Sequence, residues 1–299
     1  MSNIDLSIII VSYNIRRLLT ECVESIIKNT KKINYEIIVV DNASSDDTVS
    51  EINKLTNKKN MSLKIIHNKE NYGFSKANNI GIQKSKGKYL LFLNPDTLVY
   101  ENTLEGMIDF MEEEKSAGAA TCFIALPSGE LDDAAHRGFP TPWRSFCHFS
   151  GISKLFPNSK LFSGYTLGWM DKNKIHEIEA CAGAFMMVRR EAGEQINWWD
   201  EEFFWYGEDL DFCFRLKEKN WNIFFVPTFK IFHYKGASGG IKKISQHLSS
   251  ADIKTKKRAR YERFRAMKIF YEKHYKDKYP KILSKIVLIG IDLKYRISS

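Results

Sequence analysis

Residues 88–97 read KYLLFLNPDT, and their order decides the fold class. Tyr89 to Leu93 is an unbroken apolar run, the form a strand takes when both of its faces are covered. Asn94, Pro95 and Asp96 then stop it as a turn. Three earlier runs have the same form: LSIIIV (Leu6–Val11), YEIIVV (Tyr35–Val40) and SLKIIH (Ser62–His67). Between the four runs, Arg16–Lys28, Asp46–Leu55 and Phe74–Lys84 space their apolar residues as helices do. Strands alternating with helices predict an α/β fold, an open and mainly parallel sheet built with right-handed crossovers. In such sheets ligands sit at the carboxyl ends of the strands, so SYN, DNASS, HNKENYG and NPD are expected to line one crevice.

Beyond Asp96 the pattern changes. A helix over 101–115, a strand over 118–124 and a turn at 127–129 lead into an irregular stretch, 132–178, rich in Phe, Trp, Gly, Pro and Ser. A loop of that length inside a domain reads as a lid or a substrate groove. Residues 181–190 read as a strand, 207–221 as a helix and 223–234 as a strand, and basic helices are expected over 252–276 and 281–297. The resulting division is a main domain over 1–240, in two halves (1–100 and 101–240) that a family resemblance given below assigns to nucleotide-sugar and acceptor, followed by a basic helical extension over 241–299.

Of the 299 residues, 43% are hydrophobic, which argues for a folded chain. The five cysteines are widely spaced without a CxxC pair, as expected for reduced thiols in a cytosolic protein. The first residues lack the basic region and cleavage site of a secretory signal, and no run approaches the roughly 20 apolar residues of a membrane span. The net charge of +9 is concentrated: residues 241–299 hold 17 Lys and Arg against 5 Asp and Glu, leaving 28 against 31 before them. A basic tail of this kind meets an anionic membrane or nucleic acid. No base-reading motif accompanies the charge, which speaks against nucleic acid.

No GxGxxG follows the first strand and no GxxxxGK[ST] occurs, which counts against a dinucleotide oxidoreductase and a P-loop NTPase. Tyr13 and Asn14, following the first strand, suit stacking on a base and hydrogen bonding to it. Asp41 ends the second strand, either to accept from a base or ribose or to form an Asx turn. Gly73 permits a turn after the third strand, Asn71 and Asn79 present amides at a helix start, and Asn78 is expected to bond a neighbouring loop or a ligand, because Asn is a poor residue mid-helix. Asp96 is a hard oxygen ligand placed where a cation bridging two phosphates would need one, or else a turn former. Glu208, Asp209 and Asp211, beside Trp205 and Tyr206, either complement a helix dipole or include a general base. Asp209 and Asp211 differ by about 200° around a helix, so one at most faces a substrate. His233, before the glycine-rich GASGG, is a structural histidine or a ligand.

Taken in order, SIIIVSYN, IIVVDNASSDDT, NYGFSKANNIGI, KYLLFLNPDT, CAGAFMMVRRE, FFWYGEDLDFCFRLKEKNW and FHYKGAS resemble family 2 glycosyltransferases of the GT-A fold, above all the rhamnosyltransferase-like members of bacterial polysaccharide assembly. The resemblance covers about four fifths of the chain, Leu6 to Gly240. It implies a metal-dependent inverting transferase that moves a sugar from dTDP-rhamnose or a UDP-sugar to a hydroxyl of a glycan or lipid-linked acceptor in surface polysaccharide biosynthesis. Tyr13, Asn14, Asp41, Asn71, Gly73, Asn78 and Asn94 would hold the nucleotide-sugar. Asp96 and His233 would hold Mg2+ or Mn2+, Asp209 would be the base with Glu208 beside it, and Gly183, Trp205 and Tyr206 would line the acceptor site. Asn94 is a departure, since many members carry Asp there, and an amide oxygen binds a cation more weakly than a carboxylate. The implied location is the cytoplasm, at the inner face of the membrane, with the basic tail lying on anionic lipid or packed on its own domain. Two rivals are a non-catalytic relative that binds nucleotide-sugars and a sugar nucleotidyltransferase; the latter needs a glycine-rich loop that SYNIRRLL lacks.

Overall fold

The computed structural model describes residues 4–48, 50–52, 62–235 and 253–298. The four apolar runs form parallel strands β1 (Leu6–Ser12), β2 (Tyr35–Asp41), β3 (Leu63–His67) and β4 (Tyr89–Leu93), ordered β3-β2-β1-β4. Ile8, Ile9, Ile10, Ile37, Ile38 and Leu91 are wholly inaccessible, so the absence of alternation has the expected cause: both faces are covered. Helices α1 (Arg16–Asn29) and α2 (Gly73–Ile82) make two of the crossovers. The helix expected over 46–55 falls largely outside the described residues.

Five further strands follow: β5 (Thr97–Val99), β6 (Ala117–Ala125), β7 (His176–Ile178), β8 (Phe185–Arg189) and β9 (Asn222–His233). The sheet continues β4-β8-β6-β9-β5, with β7 also on β9, and is mixed: β8 runs antiparallel to β4 and β6, whereas β9 is parallel to β6. Only three residues separate β4 from β5, too few for a parallel crossover. β5 instead pairs antiparallel with β9, and its first residue, Thr97, sits opposite His233. That register brings the turn at Asp96 and the end of β9 together.

The remaining helices are α3 (Thr103–Glu113), α4 (Pro142–Ser150), α5 (Ile152–Leu155), α6 (Arg190–Gln195), α7 (Glu208–Glu218), α8 (Ile253–His274) and α9 (Lys281–Ile297). α4 lies in the stretch expected to be irregular. Its start is conventional, with Thr141 accepting from the Arg144 N–H at 3.3 Å and proline at the first turn. Its apolar residues Trp143, Phe146 and Phe149 are 46%, 56% and 45% exposed, so they give no inward-facing pattern.

The expected division at 240/241 falls outside the described residues. α8 is packed on the rest of the protein: Ala266, Ile269, Phe270 and Tyr271 belong to the same apolar core as the sheet. Its strongest tie is Asp211 of α7, which is fully buried. Asp211 accepts from Arg215 Nε at 2.7 Å and His274 Nε2 at 2.8 Å, and pairs with Lys273 at 2.7 Å. Burial alone would raise its pKa, but His274, Arg215 and Lys273 outweigh burial and hold it at about 2.

Because its folded pKa is depressed, Asp211 contributes stability that is complete above the ordinary aspartate value of about 3.9 and disappears as pH falls through about 2. Asp211→Asn is expected to lower unfolding free energy at pH 7 by about 3–5 kcal/mol, since it leaves buried cations without their anion. In denaturant titrations the gap to the parent protein should narrow as pH falls across that window; a gap independent of pH would refute the assignment.

Candidate active site

A cavity of about 1270 Å³ opens at the carboxyl ends of β1, β2 and β4. That exceeds the roughly 300–1,000 Å³ of a usual small-molecule site and leaves room for two substrates. Tyr13, Asn71, Gly73, Asn94, Asp96, Gly183, Trp205, Tyr206, Glu208, Asp209 and His233 all line it. Residues far apart in sequence are thus brought to one chamber by the strand order.

Three expected nucleotide residues are placed otherwise. Asn78 is buried and donates from Nδ2 to the Phe74 carbonyl at 3.0 Å, one turn back in its own helix. The bond shown for its amide donor thus stays within α2, and Asn78 is not among the residues lining the cavity. Asp41 accepts from Ser44 Oγ at 2.5 Å and Ser44 N–H at 3.1 Å, so it closes a turn behind the cavity wall. Asn14, at φ +50°, accepts from the Ser45 N–H at 2.7 Å and braces the same turn. The residue of that loop that lines the cavity is Asn42, which donates to the Gly73 carbonyl at 3.0 Å.

Gly73 is a junction. Its φ is +81°, and a Cβ there would lie 2.4 Å from the Phe204 carbonyl oxygen. That carbonyl accepts the Phe74 N–H at 2.8 Å, so the start of α2 is stitched to the segment carrying Trp205 and Tyr206. The two rings stack at 5.2 Å and 8°. Tyr206 and Gly207 follow at φ +72° and +78°, a double left-handed step that turns the chain into α7 and aims its first residues at the cavity.

Glu208 and Asp209 then have different environments. Glu208 is buried, with Oε2 lacking a hydrogen bond, and burial together with the Asp209 charge raises its pKa to about 8. Both effects favour its protonated form. Asp209 accepts from Arg137 Nη2 at 2.5 Å and from the Leu210 N–H at 2.8 Å, fixing both carboxylate oxygens while leaving the side chain in the cavity wall. Burial disfavours the Arg137 charge, but Asp209 and Tyr165 more than compensate and push its pKa up.

On the sheet side, His233 Nε2 lies 3.2 Å from Asp96 Oδ1 and its Nδ1 3.5 Å from Asp132 Oδ2, with Lys235 paired to Asp132. Burial opposes charge on His233, yet the two carboxylates raise its pKa to about 9. With His233 protonated, the two carboxylates are balanced by His233 and Lys235. Among the described residues no three His, Cys, Asp or Glu side chains form a self-contained cage. One carboxylate and one imidazole facing a cavity do fit Mg2+ or Mn2+ that takes its other ligands from a diphosphate and water. An Asp132 carboxylate on the far nitrogen is the usual way a ligating imidazole is oriented.

With this geometry in place, the comparison with known proteins is specific. Residues 7–196 match Glycosyl transferase family 2. The chain belongs to that family. It is 31% identical over 172 residues to rhamnosyltransferase WbbL of Escherichia coli K12, covering 54% of this chain and 61% of WbbL. It is 39% identical over 111 residues to the Escherichia coli β-1,3-glucosyltransferase WfaP, covering 36% of this chain and 42% of WfaP. The chain thus aligns with less than two thirds of the length of these curated relatives. Its fold is GT-A. Mannosyltransferase PcManGT of Pyrobaculum calidifontis superposes with a TM-score of 0.60 at 15% identity, over 99% of this chain and 70% of that one. GalNAc-T7 gives 0.60 at 19% identity, over 87% and 54%.

Arg137, Asp132 and Lys235 were not singled out from the sequence. The first two fall in LDDAAHRG, at the edge of the stretch with no periodic pattern, and a cluster of acids with an arginine in so long a connection was the available signal. The GASGG segment following Lys235 lies outside the described residues.

The Gly73 junction is testable. Gly73→Ala should lower unfolding free energy by at least about 1–2 kcal/mol from the left-handed φ alone, with more from the backbone contact. Gly183→Ala should be milder, because its Cβ would meet the Phe74 ring edge at 3.1 Å, which a rotation relieves. Equal losses in equilibrium unfolding would show that the Phe204 contact is unimportant.

Proposed function

We propose that the chain is an inverting glycosyltransferase that moves a sugar from a nucleoside diphosphate donor to a hydroxyl of a glycan or lipid-linked acceptor in surface polysaccharide assembly. The observation carrying this reading is that a fixed carboxylate, Asp209, and a carboxylate–imidazole pair, Asp96 and His233, open on one cavity large enough for both substrates. The similarity to WbbL favours a dTDP-rhamnose-type donor over other nucleotide-sugars.

Tyr13, Asn42 and Asn71 form the wall at the ends of β1 to β3, where a base and ribose would sit, with Asp41 and Asn14 holding that wall from behind. Asp96 and His233 would hold Mg2+ or Mn2+, which when bound neutralises the charge of the departing diphosphate. Asn94 shares that turn and brings no charge. Trp205, Tyr206 and Gly183 would flank the acceptor beside Asp209. Asp209 takes the proton of the acceptor hydroxyl as its oxygen bonds to the anomeric carbon, and the bond to the nucleoside diphosphate breaks on the opposite face. Arg137 keeps the carboxylate oriented for that transfer. Glu208, whose burial favours the protonated form, is the less suited of the two acids to act as the base.

Asp209→Asn is expected to reduce turnover by about 10²–10⁴-fold while leaving the donor KM nearly unchanged. Near-normal turnover would remove Asp209 as base. In a second experiment, Mn2+ should enlarge the thermal stabilisation given by dTDP or UDP over that seen in EDTA, and Asp96→Ala should abolish the increment. Nucleotide binding without any sugar transfer across donor and acceptor panels would favour a non-catalytic binding protein.

A further inference from the structure

α9 divides its circumference three ways. Ser284 is buried and accepts from the Tyr271 hydroxyl at 3.0 Å, with Asp292 paired to Lys268 at 2.5 Å, which fixes the helix on α8. Leu283, Val287 and Ile291 face the cavity, and Ile286 also lines it while remaining 61% exposed, so the stripe and the cavity lining meet at that residue. The outward face carries Ile282, Ile286, Ile289, Leu293 and Ile297, at steps of four, three, four and four residues, and all are at least 50% exposed. Such spacing forms one continuous apolar stripe along the helix.

α4 stands across the cavity mouth with Trp143, Phe146 and Phe149 exposed and also lining the cavity. The two helices meet where Lys294 Nζ lies 4.1 Å from the centre of the Phe149 ring. Exposed apolar side chains on two helices therefore frame the entrance to the chamber that holds Asp96 and Asp209. A contiguous apolar surface of this kind, with a polar rim, marks an interaction site.

We propose that the outer face of α9 together with the aromatic side of α4 is a docking surface for an anionic lipid bilayer, which seats the cavity mouth at the membrane. Charge selects the occupant. Lys281, Lys285 and Arg296 flank the stripe, and residues 253–298 hold 15 Lys and Arg against 4 Asp and Glu. A second copy of the chain would bring the same cationic rim against itself, whereas anionic headgroups complement it. Tryptophan and phenylalanine beside lysine suit the headgroup boundary, and none of the described helices is long and apolar enough to cross a membrane. The bilayer contact thus lies on α4 and α9, while much of the more basic α8 is committed to the protein core. The docking stands on this surface alone. Its consequence, that an acceptor keeps its lipid tail in the bilayer while its hydroxyl reaches Asp209, rests on the transferase reading.

The test uses the full chain with phosphatidylcholine vesicles, with and without phosphatidylglycerol. Co-sedimentation should require phosphatidylglycerol and fall by about tenfold or more in the Ile282→Glu/Ile289→Glu/Leu293→Glu variant, which alters exposed positions away from the cavity. The variant's melting temperature and its stabilisation by dTDP or UDP should not change. Brominated lipid should quench the parent's tryptophan fluorescence, and Trp143→Phe should remove that quenching. No vesicle binding by the parent, equal binding by the triple variant, or a dimer that the triple variant dissolves would each overturn the proposal. Vesicle binding with no response to either nucleotide would uphold the docking surface and count instead against the transferase reading.

Discussion

The buried carboxylate of Asp211 is the constraint on which the catalytic arrangement depends. Arg215, Lys273 and His274 converge on it, and they join α7 to α8 where neither helix can rotate without exposing an unpaired charge. With α7 locked in rotation, the fate of its other acids follows from helical geometry. Asp209 is turned to Arg137 and the cavity, and Glu208 is pressed into an apolar setting. Three neighbouring carboxylic acids thus acquire three roles without any difference in side-chain chemistry worth the name. One anchors the helix, one is held by Arg137 in the cavity wall, and burial favours the protonated form of the third.

The second centre has a similar origin in geometry. Asp96 and His233 are 137 positions apart, yet they meet because β5 has nowhere to go except the far side of β9, in a register that sets Thr97 against His233. β9 ends at that histidine, and Asp132 arrives from the connection after β6 to steady its other nitrogen. The acidic turn that stops β4 gains its significance from this long-range pairing.

The fold was legible because its signals are local. Unbroken β-branched runs such as Ile8–Ile10 and Ile37–Val40 declare doubly covered strands, and the helices of the first half bury one face each. α4 is only nine residues long and sits among Gly, Pro and Ser, so the helical spacing of Trp143, Phe146 and Cys147 is too short a signal to stand out from the irregular stretch around it. Asn78, an unfavourable helix residue expected to have a partner in a loop or ligand, donates to the backbone of its own helix. Asp41 left two readings open, and its hydrogen bonds with Ser44 give it the turn. Arg137 could not be found from spacing at all, because its partnership with Asp209 depends on a connection whose path no local rule specifies.

The contact between Gly73 and Phe204 ties the cavity wall that carries Asn71 to the shelf that carries Trp205 and Tyr206. The glycine is matched to a particular carbonyl, and that carbonyl to a particular amide. In a lineage that reshapes this cavity, the segment around Trp205 and Tyr206 is consequently not free to be exchanged by itself. The start of α2 has to be inherited along with it, so the two halves of the chamber diversify as a matched pair.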